Sequence, residues 1–507
     1  LTATGDPQHL FLVGYSGELS IKARKTRLRF AKRLARNLAE ALEATGIPFA
    51  IDRTWSRLFL RSPSPEAGGI AADIFGVQSV WPAEKRPWGS LDDILRAGEE
   101  IFAPRVAGKT FAVRARRGGE HDKIPFRSPE IERRLGAVLL PHAAGVDLTS
   151  PQVTVRLEVR AGDAYFLGPR LAGHAGLPLG TEGRAVALVS GGFDSLVASW
   201  LLLRRGVMLD HVFLNLGGDQ HRDTVLAAIK VIADRWSFGY RPQLHLVDFS
   251  GAVEEIKARC PQGLWQVVLK RQMLRVAERV ARQVQAAAVV TGEAVGQVSS
   301  QTLQNLTVIS EATELPILRP LVAANKDEIM DLARKIGTYD LSARVPEYCA
   351  IAPRRPQTHA SAQRVAEAET GLEPERLAAA VAERAVFDLR ALDLARTRSP
   401  ALAVDEIPDG AVVVDLRPAY AYRSWHYPGA LHLDYVQALA AHPSFDRAET
   451  YVFYCEVGLK SAHLAELLHA AGGRAHHVEG GLRQVVRLAE RQDEALTAAM
   501  SPALLSD

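Results

Sequence analysis

The sequence predicts a multidomain α/β protein organised around a doubly wound parallel sheet. Three observations carry this reading. From about residue 175, short apolar runs alternate with helical stretches, the pattern of parallel strands joined by crossover helices. The run Ser190-Gly191-Gly192-Phe193-Asp194-Ser195 lies between apolar Ala185–Val189 and helical Leu196–Leu203, at a strand's carboxyl end where such sheets bind ligands. After Pro400 a second, smaller α/β unit begins, with strand-like runs at Ala411–Asp415, Tyr451–Tyr454 and Arg474–Val478.

A chain of 507 residues has room for about three or four domains. Its 47% apolar and 23% charged residues describe a globular protein able to bury several cores. Net charge is only +3, so any affinity for nucleic acid must come from local clustering. Cys260, Cys349 and Cys455 are too few and too scattered for a disulfide framework or a zinc site, which points to a reducing, intracellular setting. Leu1 to Thr4 show no targeting pattern, and no apolar run reaches membrane-spanning length, so no membrane partner is expected.

In chain order, Leu10–Tyr15 reads as a strand, Arg24–Leu42 as a helix and Phe49–Leu60 as an alternating strand, together a first domain over 1–60. Residues 22–36 carry eight Lys or Arg and no acid. A solvated helix face and a phosphate-tracking surface both explain such a run. A second domain spans 61–170. There Phe111–Arg117 alternates apolar and basic, Ser128-Pro129 opens a helix with acids in its first turn, and Val153–Val159 alternates again. Residues 105–134 hold nine basic and four acidic residues, a second cationic cluster. Ala103–Thr110 loosely fits an ordinary P-loop pattern, but no strand precedes it and a strand follows, so it is rejected. The sheet domain covers 171–356, with strands expected at Ala185–Val189, His211–Leu216, Gln243–Val247, Ala287–Thr291 and Leu315–Leu318. Residues 357–399, rich in Ala, Arg and Glu, read as a helical connector rather than as core, and 400–507 form the last domain.

The chemistry starts at Ser190–Ser195. A strand that turns through small residues into a helix aims several backbone N–H groups at one point, where they hold phosphate. Gly191 and Gly192 let the main chain approach an anion, and Ser190 and Ser195 add hydroxyl donors. The lysine of an ordinary P-loop is missing and Asp194 stands in the turn instead. This combination points to a loop that grips pyrophosphate in an enzyme cutting ATP between its α and β phosphates. Further along, Gly292-Glu293 ends a strand in a turn, followed by the polar stretch Gly296–Thr302. Lys270 and Lys326 each offer a cation to phosphate, although a single lysine is more often merely solvated.

Cys455 directly follows an apolar strand and precedes a helix, in the turn Cys455-Glu456-Val457-Gly458-Leu459-Lys460-Ser461. Converging N–H groups and the helix dipole there favour a thiolate, a nucleophile or persulfide carrier. Asp415-Leu416-Arg417 reads as a structural ion pair and His426–Ala430 as a structural turn. Cys349, in Pro346-Glu347-Tyr348-Cys349-Ala350, fits core and function equally, and Cys260 reads as structural.

At these residues the chain resembles the tRNA 4-thiouridine sulfurtransferase family. The resemblance rests on Ser190–Ser195 as a PP-loop, on Thr291-Gly292-Glu293 with Gly296–Asn305, on Pro346–Cys349, and on a rhodanese unit around Cys455. It implies a ferredoxin-like domain and a THUMP RNA-binding domain before the sheet, gripping tRNA, and a rhodanese domain after it. It implies ATP on the PP-loop at Leu188, Val189, Ser190, Gly191, Gly192, Asp194, Ser195, Lys270, Gly292 and Gln301, with Mg2+ accompanying it. Asp194 and Lys326 match positions that act when uridine O4 of tRNA residue 8 attacks the α-phosphate and releases pyrophosphate. A PLP-dependent cysteine desulfurase loads sulfur on Cys455, the persulfide displaces AMP, and Cys349 closes a disulfide with Cys455. The resemblance also implies a cytoplasmic homodimer, and sulfur delivery to a ThiS-like carrier for thiamine synthesis.

Cys349 and Cys455 are 106 positions apart, whereas a disulfide needs Cα atoms within about 7 Å. The rhodanese unit is therefore expected to swing to the PP-loop on the 357–399 connector. Two other readings stay open: a different PP-loop tRNA thiolase or amide synthetase, and a non-catalytic RNA-binding sulfur carrier.

Overall fold

The structure, a computed structural model, describes residues 9–119, 121–216, 218–343, 345, 356–397 and 402–500. They fall into two compact units, the first made of the residues before Gly183 with Leu203–Val207 and Phe238–Tyr240, the second of the remainder.

The first unit holds strands β1 (His9–Tyr15), β2 (Ala50–Arg53), β3 (Arg57–Ser62), β4 (Val77–Pro87), β5 (Thr110–Arg117), β6 (Gly145–Val146), β7 (Val153–Arg160), β8 (Asp163–Leu167) and β9 (Leu171–Ala172). They form one sheet in the order β2-β3-β1-β4-β8-β7-β5-β6, with β9 paired to β4. Apolar residues at helical spacing (Phe30, Leu34, Leu38, Leu42) turn one face of the helix Arg24–Ala44 onto Phe11, Val13 and Tyr15 of β1. The stretch Phe49–Leu60, expected as one strand, is a hairpin. The Thr54 hydroxyl and amide both bind the Arg57 carbonyl at 2.9 Å and turn the chain back. A boundary at residue 60 falls inside β3. The 11-residue β4 pairs with β1 through its first half and with β8 through its second, so both N-terminal domains share a single sheet. Behind β5, β7 and β8 a second core gathers Ile94 and Phe102 from the helix Leu91–Val106 with Ile131 and Leu135 from the helix Ser128–Leu139. The rejected P-loop pattern is the end of the first of these helices running into β5.

The second unit carries a six-stranded sheet of β10 (Arg184–Val189), β11 (Met208–Asn215), β12 (Gln243–Asp248), β13 (Val289–Val290), β14 (Ile317–Leu318) and β15 (Ala385–Asp388), in the order β14-β13-β10-β11-β12-β15. The first five are parallel, and β15 is antiparallel on the edge. The strands expected around 185, 211, 243, 287 and 315 are all present. The order reverses beside β10, the switch point at which such sheets bind ligands.

Residues 357–399 differ from the connector expected. The helices Ala362–Glu369 and Pro374–Ala382 bury Val365, Leu377 and Val381 in the same core as Val247, Ile256 and Val268. The segment then supplies β15. Its Glu369 is half-buried against the helix Trp265–Gln283, where Arg275 donates to both carboxylate oxygens at 2.7 Å and buried Arg271 and Gln272 donate at 3.0 Å. The helices Ala362–Glu369 and Pro374–Ala382 and strand β15 are part of the sheet domain rather than a free arm.

Burial pushes the Glu369 carboxyl up, but Arg275 and Arg271 outweigh it and hold it below the usual range. Removing one partner of a buried charge cluster strands the others, so Glu369→Ala is expected to lower unfolding free energy by about 3–5 kcal/mol. Because the folded carboxyl is depressed, its contribution is full above the unfolded pKa and disappears as pH falls through the folded one. Urea midpoints of wild type and variant should therefore differ most at neutral pH and converge in acid. A difference of less than ~1 kcal/mol at pH 7 would mean that the cluster is worth no more than a surface pair.

The C-terminal sheet of the second unit has β16 (Val412–Asp415), β17 (Leu431–His432), β18 (Thr450–Tyr454) and β19 (Arg474–His477), parallel and ordered β17-β16-β18-β19. Strand alternation sends Val413, Val452 and Tyr454 to one face and Val414, Phe453 and Cys455 to the other, each under its own helices. Among the described residues, no helix is long and apolar enough to cross a membrane.

Candidate functional site

Beyond β10 the chain turns through Ser190–Gly192 into the helix Phe193–Arg204. Gly191 has φ +77°, which L side chains rarely adopt, and a Cβ there would lie 2.8 Å from Val225. The Ser195 hydroxyl accepts from the Ser190 amide at 3.2 Å and donates to the Gly192 carbonyl at 3.2 Å, closing the turn on itself. Ser342 ties the loop from outside by donating to the Gly191 carbonyl at 2.9 Å. The result is a preformed nest at a helix N-terminus.

Two strand ends complete the site. After β13, Gly292 lies flat on the loop: a Cβ there would meet the Asp194 carbonyl carbon at 2.6 Å and the Ser195 nitrogen at 2.7 Å. Gln297 donates to one Asp194 oxygen at 2.8 Å, and Lys326 donates to the other at 3.0 Å while standing over the Phe193 ring. Lys326 opens the helix Lys326–Ile336, which is fixed by a capping box between Asn325 and Glu328. Beside Gly292, buried Glu293 accepts from Lys270 and from Arg319, both at 2.9 Å, and from Thr291 at 3.1 Å. Burial pushes its carboxyl up, yet Lys270 and Arg319 outweigh that and hold it below the usual range. Gln301 accepts from the Ala294 amide at 3.3 Å and returns its carbonyl to the Gly296 amide, shaping the turn. Three cations are thus held on two carboxylates around a cradle of amides, an arrangement that can receive a polyphosphate.

The structure brings together Ser190, Gly191, Gly192, Asp194, Ser195, Gly292, Gln301, Lys270 and Lys326. Leu188 and Val189 end β10 just before the turn. Gln297, Arg319 and Ser342 were not singled out from the sequence. Arg319 carries the same strand-end signal as Lys326, since it directly follows β14. Gln297 lies inside the polar stretch already noted, but Ser342 reaches the loop only through tertiary packing. Among the described residues, no three His, Cys, Asp or Glu side chains gather as a metal site.

On the C-terminal sheet, Cys455 directly follows β18. Its sulfur accepts from the Gly458 amide at 3.2 Å and sits 3.5 Å from the Ser461 hydroxyl, at the start of the helix Leu459–Ala470. Gly481, at φ +60°, backs the turn so closely that a Cβ would be 2.5 Å from the Cys455 and Glu456 carbonyl oxygens. The Asp415–Arg417 pair, joined by Tyr454, is buried at 2.7 Å and the His426–Ala430 turn runs through Gly429 at φ +77°, both structural as read. Cys260 is buried and donates to the Ala368 carbonyl; burial, then Glu369 and Glu255, pushes its thiol up to about 11. It is inert. Cys349 and its neighbours Pro346–Ala350 lie outside the described residues.

In the first unit, Lys22, Arg24, Lys25, Arg29, Lys32 and Arg36 are exposed. Two of the eight basic residues are structural: Arg33 donates to the Leu179 and Gly239 carbonyls, and Arg27 stacks 4.2 Å over Trp55.

Comparison with known proteins gives four family matches along the chain. The chain matches the ThiI ferredoxin-like domain over 10–80, the THUMP domain over 89–167, the family described as "Thiamine biosynthesis protein (ThiI)" over 180–373 and the rhodanese-like domain over 399–487. It is 37% identical over 463 residues to a tRNA sulfurtransferase of Pyrobaculum aerophilum, covering 91% of this chain and 94% of that one. It is 34% identical to that of Desulfurococcus amylolyticus, covering 93% and 97%. A crystal structure of a 4-thiouridine synthetase–RNA complex with bound ATP superposes with a TM-score of 0.65 at 30% identity, covering 75% of this chain and 99% of that one.

Proposed function

The chain belongs to the tRNA sulfurtransferase family, and from that premise we propose that it uses ATP to convert uridine 8 of tRNA to 4-thiouridine with sulfur carried on Cys455. One observation carries the reading. A single chain holds a lysine-free phosphate loop closed by Gly292 and a cysteine whose sulfur faces a converging amide at 3.2 Å.

ATP lies with its phosphates on the amides of Ser190–Ser195, and Lys326, Lys270 and Arg319 neutralise charge as pyrophosphate forms. Uridine O4 attacks the α-phosphorus, its bond to the β-bridging oxygen breaks, and the base carries AMP. A magnesium ion would be held chiefly by the phosphate oxygens, with Asp194, now bonded to Gln297 and Lys326, as the carboxylate at hand, and would neutralise charge on the leaving pyrophosphate. The terminal sulfur of a Cys455 persulfide then attacks C4 and AMP leaves. The Cys349 thiolate attacks the Cys455 sulfur, the sulfur–sulfur bond to the base breaks, and 4-thiouridine departs as the two cysteines become a disulfide. The two electrons that reduce the sulfane sulfur come from this thiol pair, and an external dithiol resets it. A cysteine desulfurase supplies the persulfide, and the tRNA substrate implies a cytoplasmic location. The exposed bases of the helix Arg24–Ala44 and the 105–134 cluster are the tRNA-facing surfaces. The family description supports a second acceptor, a ThiS-like sulfur carrier.

The test is nucleoside mass spectrometry of tRNA incubated with ATP, cysteine, a cysteine desulfurase and the protein, alongside pyrophosphate release. The expected result is 4-thiouridine with pyrophosphate release that depends on tRNA. Pyrophosphate release without tRNA, or no 4-thiouridine, would overturn the reading in favour of another PP-loop enzyme or a carrier.

A further inference from the structure

Among the described residues, two helices bring the C-terminal sheet up to the phosphate loop. The helix Gly218–Trp236 starts just beyond β11, next to β10, and its His221 ring is hydrogen-bonded to the Ser190 backbone in the phosphate loop. On the first turn of that helix sits the helix Leu459–Ala470, which begins four residues after Cys455. Glu466 accepts from the Asp219 amide at 2.8 Å, placing a carboxylate on the positive end of a 19-residue helix. His463 lies alongside, and its ring is held by the Tyr435 hydroxyl at 2.6 Å. Lys460, inside the cysteine turn, stands 5.6 Å over the same Tyr435 ring.

The fit is close enough to need glycine. Gly218 has φ +78°, and a Cβ there would lie 2.2 Å from the Glu466 carboxylate and 2.7 Å from the His463 ring. Chance contacts between surface helices do not require a bare main chain on one side and a charged cap on the other.

We propose that Glu466 is a positioning residue for sulfur delivery: through Asp219 and the Gly218 turn it seats the cysteine-bearing sheet against the phosphate loop. The proposal rests on the sulfur-transfer reading above. It adds that capture of the persulfide by the activated base depends on this seat, whereas activation of the base does not. Glu466 is neither one of the residues that form the phosphate cradle nor a partner given for the Cys455 sulfur, so its loss is expected to act through where Cys455 is held.

Two sulfur sources separate these claims. Inorganic sulfide can displace AMP from the activated uridine directly, with hydrosulfide attacking C4, AMP leaving and a proton released. It does not need Cys455. Glu466→Ala is expected to lower 4-thiouridine formation from cysteine plus desulfurase by about tenfold, the scale of one charge-assisted hydrogen bond. Sulfide-driven thiolation, tRNA-dependent pyrophosphate release and loading of Cys455 with labelled sulfur should stay at wild-type levels. Glu466→Gln keeps an acceptor for the Asp219 amide and should recover most of the persulfide-driven rate. Hydrogen exchange at the Asp219 amide should quicken in the Ala variant and not in the Gln variant. Equal loss from both sulfur sources, or no loss from either, overturns the proposal. A wild-type protein that makes 4-thiouridine from neither source overturns the reading of function and this inference with it.

Discussion

Gly292→Ala is expected to cut tRNA-dependent pyrophosphate release by about 100-fold while leaving the protein folded. The added methyl carbon would stand 2.6 Å from the Asp194 carbonyl carbon, 2.7 Å from the Ser195 nitrogen and 2.8 Å from the Asp194 oxygen. All three are main-chain atoms, so no side-chain rotation relieves the contact. Gly292 does not occupy the left-handed region, which means alanine brings no conformational strain of its own. The damage is confined to a displacement of the loop that carries Asp194. Shifting a positioning element by about 1 Å costs on the order of 10²-fold in rate. Because Asp194 also anchors Lys326 and Gln297, the displaced loop would lose its cation as well as its amides. Pyrophosphate release measured with saturating tRNA, together with a thermal melt, checks both halves of the expectation. A rate within about threefold of wild type would mean that Gly292 is not part of the nucleotide site.

Cys455→Ser is expected to remove desulfurase-driven 4-thiouridine formation, by at least about 10³-fold, the scale set by losing a nucleophile. Serine occupies nearly the same volume, and the Gly458 amide that points at the sulfur can donate equally well to a hydroxyl. The fold should persist. What serine cannot do is hold sulfane sulfur, because the carrier bond joins two sulfur atoms. Labelled sulfur from cysteine should no longer appear on the protein, while tRNA-dependent pyrophosphate release continues. If 4-thiouridine is still made from cysteine at the wild-type rate, the carrier is another thiol, and Cys349 becomes the first to test.

These two sites were legible in the sequence because each is built from consecutive residues. The loop at 190–195 and the turn at 455–461 announce themselves through glycine, hydroxyl and cysteine spacing at a strand-to-helix junction. The partners recruited from elsewhere were less visible. Lys326 and Arg319 could be seen only as cations at strand ends, and Ser342 carried no local sign that it would bind Gly191. The segment 357–399 was misread for a related reason. Its alanine-rich composition resembles a solvated linker, whereas its fate was decided by three apolar side chains and by Glu369 meeting Arg271 and Arg275 about 95 positions away. The hairpin at 50–62 was hidden by a turn without glycine or proline, closed instead by the Thr54 side chain.

The shared strand β4 turns the N-terminal part of the molecule into a fixed gauge. Eleven residues of one strand run from the ferredoxin-like half into the THUMP half without a joint. The basic face of the helix Arg24–Ala44 and the basic residues of β5 are therefore carried on one continuous sheet. An RNA that binds both must already present two phosphate tracks at that separation. Selection of the substrate can thus be made on the span of a folded RNA, before any base is read.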